Sequence, residues 1–369
     1  MKRKEIIICL SILGMFLLKT NAQDNVLDSI IPVRGFSISA PSPQYFDTFL
    51  KFVDEELASR KVNTLLLLVG YRYEFKKHPE LRDSLALTEK QVKELVKLCR
   101  SKNIQLIPQL QILGHQSSMT KANMLLQKYP EFDETPNVKL LKERKWPNEQ
   151  ELYAKSYCPL HPGVHEIIYD CVDELVEVFE TDVFHAGMDE IFYLADEHCP
   201  RCSGRDKAEL FAGEVTKLYY HLNQQGKNLW IWGDRLIDGK TTGLGMWQAS
   251  INNTARAIDL IPKEVVICDW HYRIAVPSSV YFAMKGFDVI TCPYQTTTVA
   301  LTQLEHFLSF RENSPLPMKN HFRGMMQTIW SGADNFLDVF YKGVEEAERT
   351  KGSKDCFIQL YQKIGELEQ

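Results

Sequence analysis

The apolar residues of this chain fall into eight short runs, and amphipathic stretches lie between them. The runs are VRGFSIS (33–39), VNTLLLLVG (62–70), NIQLIPQLQI (103–112), DVFHAGM (182–188), NLWIWGD (228–234), EVVICDWH (264–271), FDVITCP (287–293) and RGMMQTIWS (323–331). Near-continuous apolar character marks strands covered on both faces, the condition of a parallel sheet under helices. The intervening segments carry the helical period. LTEKQVKELVKLCRSK has a threonine start signal and apolar residues three and four apart, and KAELFAGEVTKLYYHLNQQGK stops near Gly226. Eight such units predict a (β/α)8 TIM barrel as a single catalytic domain over residues 23–369. A doubly wound open sheet would use the same elements, but no glycine-rich phosphate loop follows any strand. GLGMWQ (243–248) also reads as a strand end, which leaves the sixth strand with two candidates. The polar stretch between the third and fourth strands is long enough to form a wall or a cover over a site.

The first 22 residues read as a secretory signal: a basic start at Lys2, Arg3 and Lys4, a short apolar core, and small residues ending at Ala22. An uncleaved anchor is the alternative. Export places the mature chain in the periplasm or outside the cell. Removing four positive charges and one negative changes the formal net charge from −5 to −8. A mildly acidic domain argues against nucleic acid as a partner, and no later run is long enough to insert into a membrane. Eight cysteines remain. Cys199 and Cys202, in CPRC, are spaced for a short disulfide, half of a zinc site, or reduced thiols. Cys99, Cys171, Cys268 and Cys292 sit in strand or helix patterns and read as small buried hydrophobes.

In a barrel of this kind the chemistry lies at the carboxyl ends of the strands. Those ends supply His115, then His185, Asp189 and Glu190, then Trp232 and Asp234, then Asp269, Trp270 and Tyr272, then Tyr294 and Trp330; Trp247 lies in the ambiguous run. Aromatic faces stack on the apolar faces of sugar rings, while carboxylates, histidine and arginine bind hydroxyls. A single tryptophan is more often core; several at successive strand ends point to a pyranose site.

Asp189 and Glu190 raise a separate question. Glycosidases ordinarily flank the scissile bond with two carboxylates, one of them a proton donor. Neighbours in sequence are poorly placed to do that. They suit a scheme in which one acid protonates the leaving group and the other orients a nucleophile belonging to the substrate, a 2-acetamido group. Two other readings compete: a helix N-terminal acid pair, and a metal site made of His185, Asp189 and Glu190.

These residues resemble the signature of glycoside hydrolase family 20, the β-N-acetylhexosaminidases. That signature is His-x-Gly-(Gly/Ala)-Asp-Glu; here it reads His185-Ala186-Gly187-Met188-Asp189-Glu190. IQLIPQLQILGHQSS looks like the family's third-strand segment, and YCPLHPGVHEIIYDCVDELVEVF looks like the segment leading to strand four. The resemblance implies an exo-acting, retaining enzyme that removes terminal GlcNAc or GalNAc from glycans and glycoconjugates through an oxazolinium intermediate, with no cofactor. It assigns Glu190 as general acid and base and Asp189 as the residue that holds the acetamido group. Arg34 matches an arginine that holds sugar hydroxyls. Tyr272 or Tyr294 would bond the acetamido oxygen, and Trp232, Trp247, Trp270 and Trp330 would wall its pocket. The chain departs from the pattern in three places. Too few residues lie between Ala22 and Arg34 for the small α/β domain that often precedes the barrel. Ser-Gly follows Trp330 where many members carry an acid. The DWHY segment and the strand-two end are not the commonest form. The resemblance is therefore to a short, divergent member, and a sugar-binding protein with little turnover is the alternative function.

Overall fold

The computed structural model describes residues 26–144 and 154–368; the expected signal segment, 1–22, lies outside them. Eight parallel strands close into a barrel in sequential order. They are β1 (Val33–Ser39), β2 (Thr64–Leu68), β3 (Gln105–Ile112), β4 (Val183–Gly187), β5 (Asn228–Trp232), β6 (Val266–Trp270), β7 (Val289–Cys292) and β8 (Phe322–Thr328). Each falls within or beside an expected run. The ring closes where β8 pairs with β1, with Gly35 opposite Met326. A Cβ on Gly35 would lie 2.8 Å from that methionine's Cβ, so only glycine fits the close approach.

Strand alternation sorts the core into two layers. Leu66, Ile107, Val183, Trp230, Cys268, Ile290 and Met326 fill the barrel interior. The intervening residues, among them Phe36, Leu65, Phe184, Ile231 and Ile267, pack outward against the helices. Those helices form as the local signals direct. Thr88 makes a full capping box with Gln91 at the start of helix Glu89–Ser101, and Asp206 caps helix Lys207–Asn223. Helix Val164–Val178 runs back from the long third loop to β4.

GLGMWQ is not a strand. Gly245–Gln248 forms a four-residue helix within the β5–β6 connection, and β6 is the later run. Gly243 and Gly245 both take left-handed backbone (φ 72° and 73°), which breaks any extended conformation there. Cys99, Cys171, Cys268 and Cys292 are buried free thiols, as their patterns imply. Among the described residues no helix is long and apolar enough to cross a membrane.

Candidate active site

The strand β4 ends at Gly187, before the two acids. Alternation therefore does not apply to them, and they are not sent to opposite faces. Met188 (φ 72°) and Glu190 (φ 49°) both adopt left-handed backbone, uncommon for residues with side chains. On the neighbouring β3 exit, Leu113 (φ 64°) and His115 (φ 54°) do the same. The β3–β4 register shifts between Gln109 and Ile112. Four strained residues and a bulge at one corner of a barrel mark a place where side-chain aim has overridden backbone preference. Gly187 is required there: a Cβ would fall 1.6 Å from Oε1 of Gln111.

This turn brings the two carboxylates together on one imidazole. His115 Nε2 lies 3.1 Å from Asp189 Oδ2 and 3.5 Å from Glu190 Oε2. Burial works against a charge on His115, but Asp189, its hydrogen bond, Glu190 and Asp234 outweigh it and raise the imidazole from 6.5 to about 9. Burial likewise opposes charge on Asp189, and His115 outweighs it, holding the carboxyl below its ordinary value. The pair is an imidazolium–carboxylate contact across neutral pH. The Glu190 backbone N–H donates to Asp234 Oδ2 at 3.0 Å, and Arg235 Nε donates to the same oxygen at 2.7 Å. Burial pushes the Asp234 carboxyl up, with Arg235 opposing. Arg235 is itself fully buried and donates to the carbonyls of Met246 and Ala249, both at 2.6 Å. This chain ties the acid turn to the β5–β6 connection. The sequence placed Asp234 at a strand end, but its role as the anchor of the Glu190 backbone has no motif and emerges only in three dimensions.

Most of the expected aromatic residues lie together on the β5–β8 side. Trp232 is fully buried, with its ring 4.5 Å from His185 and 5.9 Å from Trp330. Trp270 stacks on Tyr272 at 5.0 Å. The Trp330 indole N–H donates to the Tyr272 hydroxyl at 2.9 Å. Tyr294 lies edge-on to Tyr272 at 5.3 Å. Trp247 stands on the short helix in the β5–β6 connection, edge-on to Phe192 at 5.1 Å. His185 faces the barrel interior beneath the acids. Its Nδ1 accepts from the Gly187 N–H at 3.0 Å, and burial lowers its pKa to about 3, so it is neutral. It does not join Asp189 and Glu190; the histidine in contact with both is His115. His115 also borders a cavity of about 730 Å³ lined by Gln111, Met119 and Arg349.

Two expected site residues lie elsewhere. Arg34 is the second residue of β1, at the amino-terminal end of the barrel. It shares its parity with Phe36 and Ile38, which face the helices. Its guanidinium bonds Asp28 (2.8 Å) and the carbonyls of Lys61 (2.7 Å) and Ile31 (3.0 Å). It is a structural ion pair far from the acids, not a sugar ligand. Asp269 alternates with Cys268 and Trp270, which point inward, so its carboxylate points outward. It accepts from Ser278 Oγ at 2.7 Å and lies 3.3 Å from His271 Nε2. It ties β6 to the helix Ser278–Met284 that follows.

A closed parallel barrel carries paired acids at the β4 exit and a tryptophan–tyrosine cluster at later strand ends, which defines the class as a (β/α)8 barrel with a rim site. Residues 34–331 match the glycosyl hydrolase family 20 catalytic domain, and the chain belongs to that family. It is 25% identical over 284 residues to the β-hexosaminidase of Vibrio furnissii, covering 69% of this chain and 42% of that one. A β-hexosaminidase of Akkermansia muciniphila is 30% identical over 115 residues, 31% of this chain and 21% of that protein. The chain thus spans less than half the length of these relatives. In fold it is similar to the chitobiase of Flavobacterium johnsoniae (TM-score 0.60, 19% identity, 91% of this chain and 52% of that one). It is also similar to a β-N-acetylhexosaminidase of known structure (TM-score 0.63, 19% identity, 90% and 71% coverage).

Proposed function

We propose that the protein is an exo-acting, retaining β-N-acetylhexosaminidase that removes terminal β-linked GlcNAc or GalNAc from glycans by substrate-assisted catalysis. The observation that carries this is the convergence of Asp189 and Glu190 on His115. The two carboxylates come from one turn and meet one imidazole, at 3.1 and 3.5 Å, whereas acids that flank a glycosidic bond face each other across it. Asp189 and Glu190 fit a division of labour on one face of one sugar.

Glu190 gives its proton to the glycosidic oxygen as the bond to the anomeric carbon breaks. The substrate's acetamido oxygen attacks that carbon from the other side and forms the oxazolinium ring. Asp189, held anionic by His115, accepts from the acetamido N–H and offsets the positive charge that develops there. Water then attacks the anomeric carbon. Its proton goes to the Glu190 carboxylate, the ring C–O bond breaks, and the acetamide is restored with the original configuration. Trp232, Trp270 and Trp330 supply apolar walls, and Tyr272, placed beside Trp330, is the better placed tyrosine for the acetamido oxygen. Nε2 of His185 and Nε1 of Trp232, which have no hydrogen-bond partner among the described residues, add polar atoms beneath the acids. Export to the periplasm or the exterior would give such an enzyme access to glycans.

The test is hydrolysis of aryl β-GlcNAc, aryl β-GalNAc and aryl β-glucoside by the wild type and by Glu190→Gln. Turnover of the acetamido sugars alone, reduced by about 10² or more in the variant, supports the proposal and ranks the two sugars. Comparable turnover of the glucoside would sink the acetamido mechanism. Binding of GlcNAc without turnover of any substrate would favour the sugar-binding alternative.

A further inference from the structure

The CPRC turn has partners that its spacing did not disclose. Glu134, Cys158, Cys199 and Cys202 are all buried, and one ligand-type atom from each lies within 4.8 Å of the others. Cys158 Sγ is 3.3 Å from Cys202 Sγ and 3.6 Å from Cys199 Sγ. Bonded sulfurs lie about 2.0 Å apart. Thiolates around a tetrahedral zinc with Zn–S bonds of about 2.3 Å lie nearly 3.8 Å apart. The cluster is close to the second geometry.

Three thiols also leave one over after any disulfide, and the fourth member is a carboxylate. Glu134 has 0% exposure. Its Oε1 accepts from the Asp196 backbone N–H at 3.1 Å, and among the described residues the polar groups facing the rest of the carboxylate are the Cys199 and Cys202 thiols. A buried carboxylate among three sulfurs is costly unless thiol protons or a cation meet it, and a cation would satisfy all four groups at once.

The backbone around the cluster is fixed by ordinary hydrogen bonds. In the third loop, the Glu134 N–H bonds the Ser156 carbonyl (3.1 Å) and the Cys158 N–H bonds the Phe132 carbonyl (2.7 Å). Those two bonds set Glu134 and Cys158 side by side, although the loop separates them widely in sequence. In the fourth loop, the Ser203 N–H bonds the Cys199 carbonyl and the Arg205 N–H bonds the Cys202 carbonyl, both at 3.0 Å, folding CPRC into a tight turn.

We propose that Glu134, Cys158, Cys199 and Cys202 bind one structural Zn²⁺. Thiolate donors select a borderline-soft cation over calcium or magnesium, and four protein ligands leave no open position for chemistry. The ion would join the loop after β3 to the loop after β4. These loops carry His115 and the Asp189–Glu190 turn, so the ion acts on the active site by position alone. The closest precedent within the molecule is the Asp234–Arg235 anchor, which ties the same turn from its other side.

The full chain should be produced in zinc-supplemented medium, purified without chelator, and assayed for metal by mass spectrometry and X-ray absorption. The expected result is about one zinc per chain with three sulfurs near 2.3 Å and one oxygen. Cys199→Ser should carry substoichiometric zinc, while Cys268→Ser, which alters a buried thiol elsewhere, should keep it. Exchange with Co²⁺ should give a thiolate charge-transfer band that Glu134→Gln shifts. Absence of zinc from the wild type, even after reconstitution with Zn²⁺ under reducing conditions, overturns the proposal. So does a Cys158–Cys202 or Cys158–Cys199 disulfide in the peptide map. Neither readout depends on glycosidase activity.

Discussion

The two ends of this barrel treat charge in opposite ways. At the amino-terminal end, a broad cavity of about 1150 Å³ is lined by Arg34, Lys61, Asn63, Gln105, Asp288 and Arg323. Its charges neutralise each other: Arg34 pairs with Asp28 at 2.8 Å, and Arg323 with Asp288 at 3.2 Å. At the carboxyl end two acids and Asp234 gather around one imidazole, beside neutral His185 and an indole nitrogen without a partner among the described residues. The larger opening is at the end where charge is satisfied. Size alone favours the amino-terminal end. Unbalanced charge and left-handed backbone at Met188, Glu190, Leu113 and His115 mark the carboxyl end as the candidate site.

Substitutions at the two ends should therefore have different effects. The largest expected effect is at Asp189. Asp189→Asn removes the charge that faces the developing oxazolinium, and kcat should fall by about 10² or more on aryl β-GlcNAc, with a lower melting temperature at neutral pH because His115 loses its anionic partner. Survival of kcat would mean that the acid pair is no more functional than the opposite rim.

His115 comes next, through pH. Its pKa is raised from 6.5 to about 9 in the folded chain. The stability from its contact with Asp189 is therefore fully present below about pH 6.5 and is lost as pH rises through about 9. The kcat/KM profile should fall on the alkaline side as the imidazole deprotonates. His115→Gln should remove that limb and cost roughly tenfold at neutral pH. An unchanged limb in the variant would assign it to another group.

The smallest expected effect on turnover is at the far end. Arg34→Met breaks the Asp28 pair and two carbonyl bonds. Chemical denaturation should show a loss of about 1–3 kcal/mol, with kcat and KM unchanged. A raised KM would return Arg34 to the sugar site and erase the contrast between the two ends.

The alternation of strands and helices, the barrel class and the acid pair are legible in the chain alone. Each is written in contiguous residues: apolar runs, a capping threonine, a six-residue signature ending in Asp189-Glu190. Where individual side chains point, and what they meet, depends on the fold. Arg34 matched a motif, yet its strand position and parity send it to the opposite end. Asp269 sits in an aromatic-rich strand end, yet alternation turns it outward to Ser278. GLGMWQ had the composition of a strand, yet left-handed glycines coil it. His115, rather than His185, meets both acids because a bulge and a left-handed turn aim it there, and no local pattern records that. Glu134 and Cys158 reach CPRC only because two backbone hydrogen bonds draw distant parts of one loop together. Periodicity is a local property and survives in one dimension; proximity between distant residues is created by chain closure, and only the closed barrel holds it.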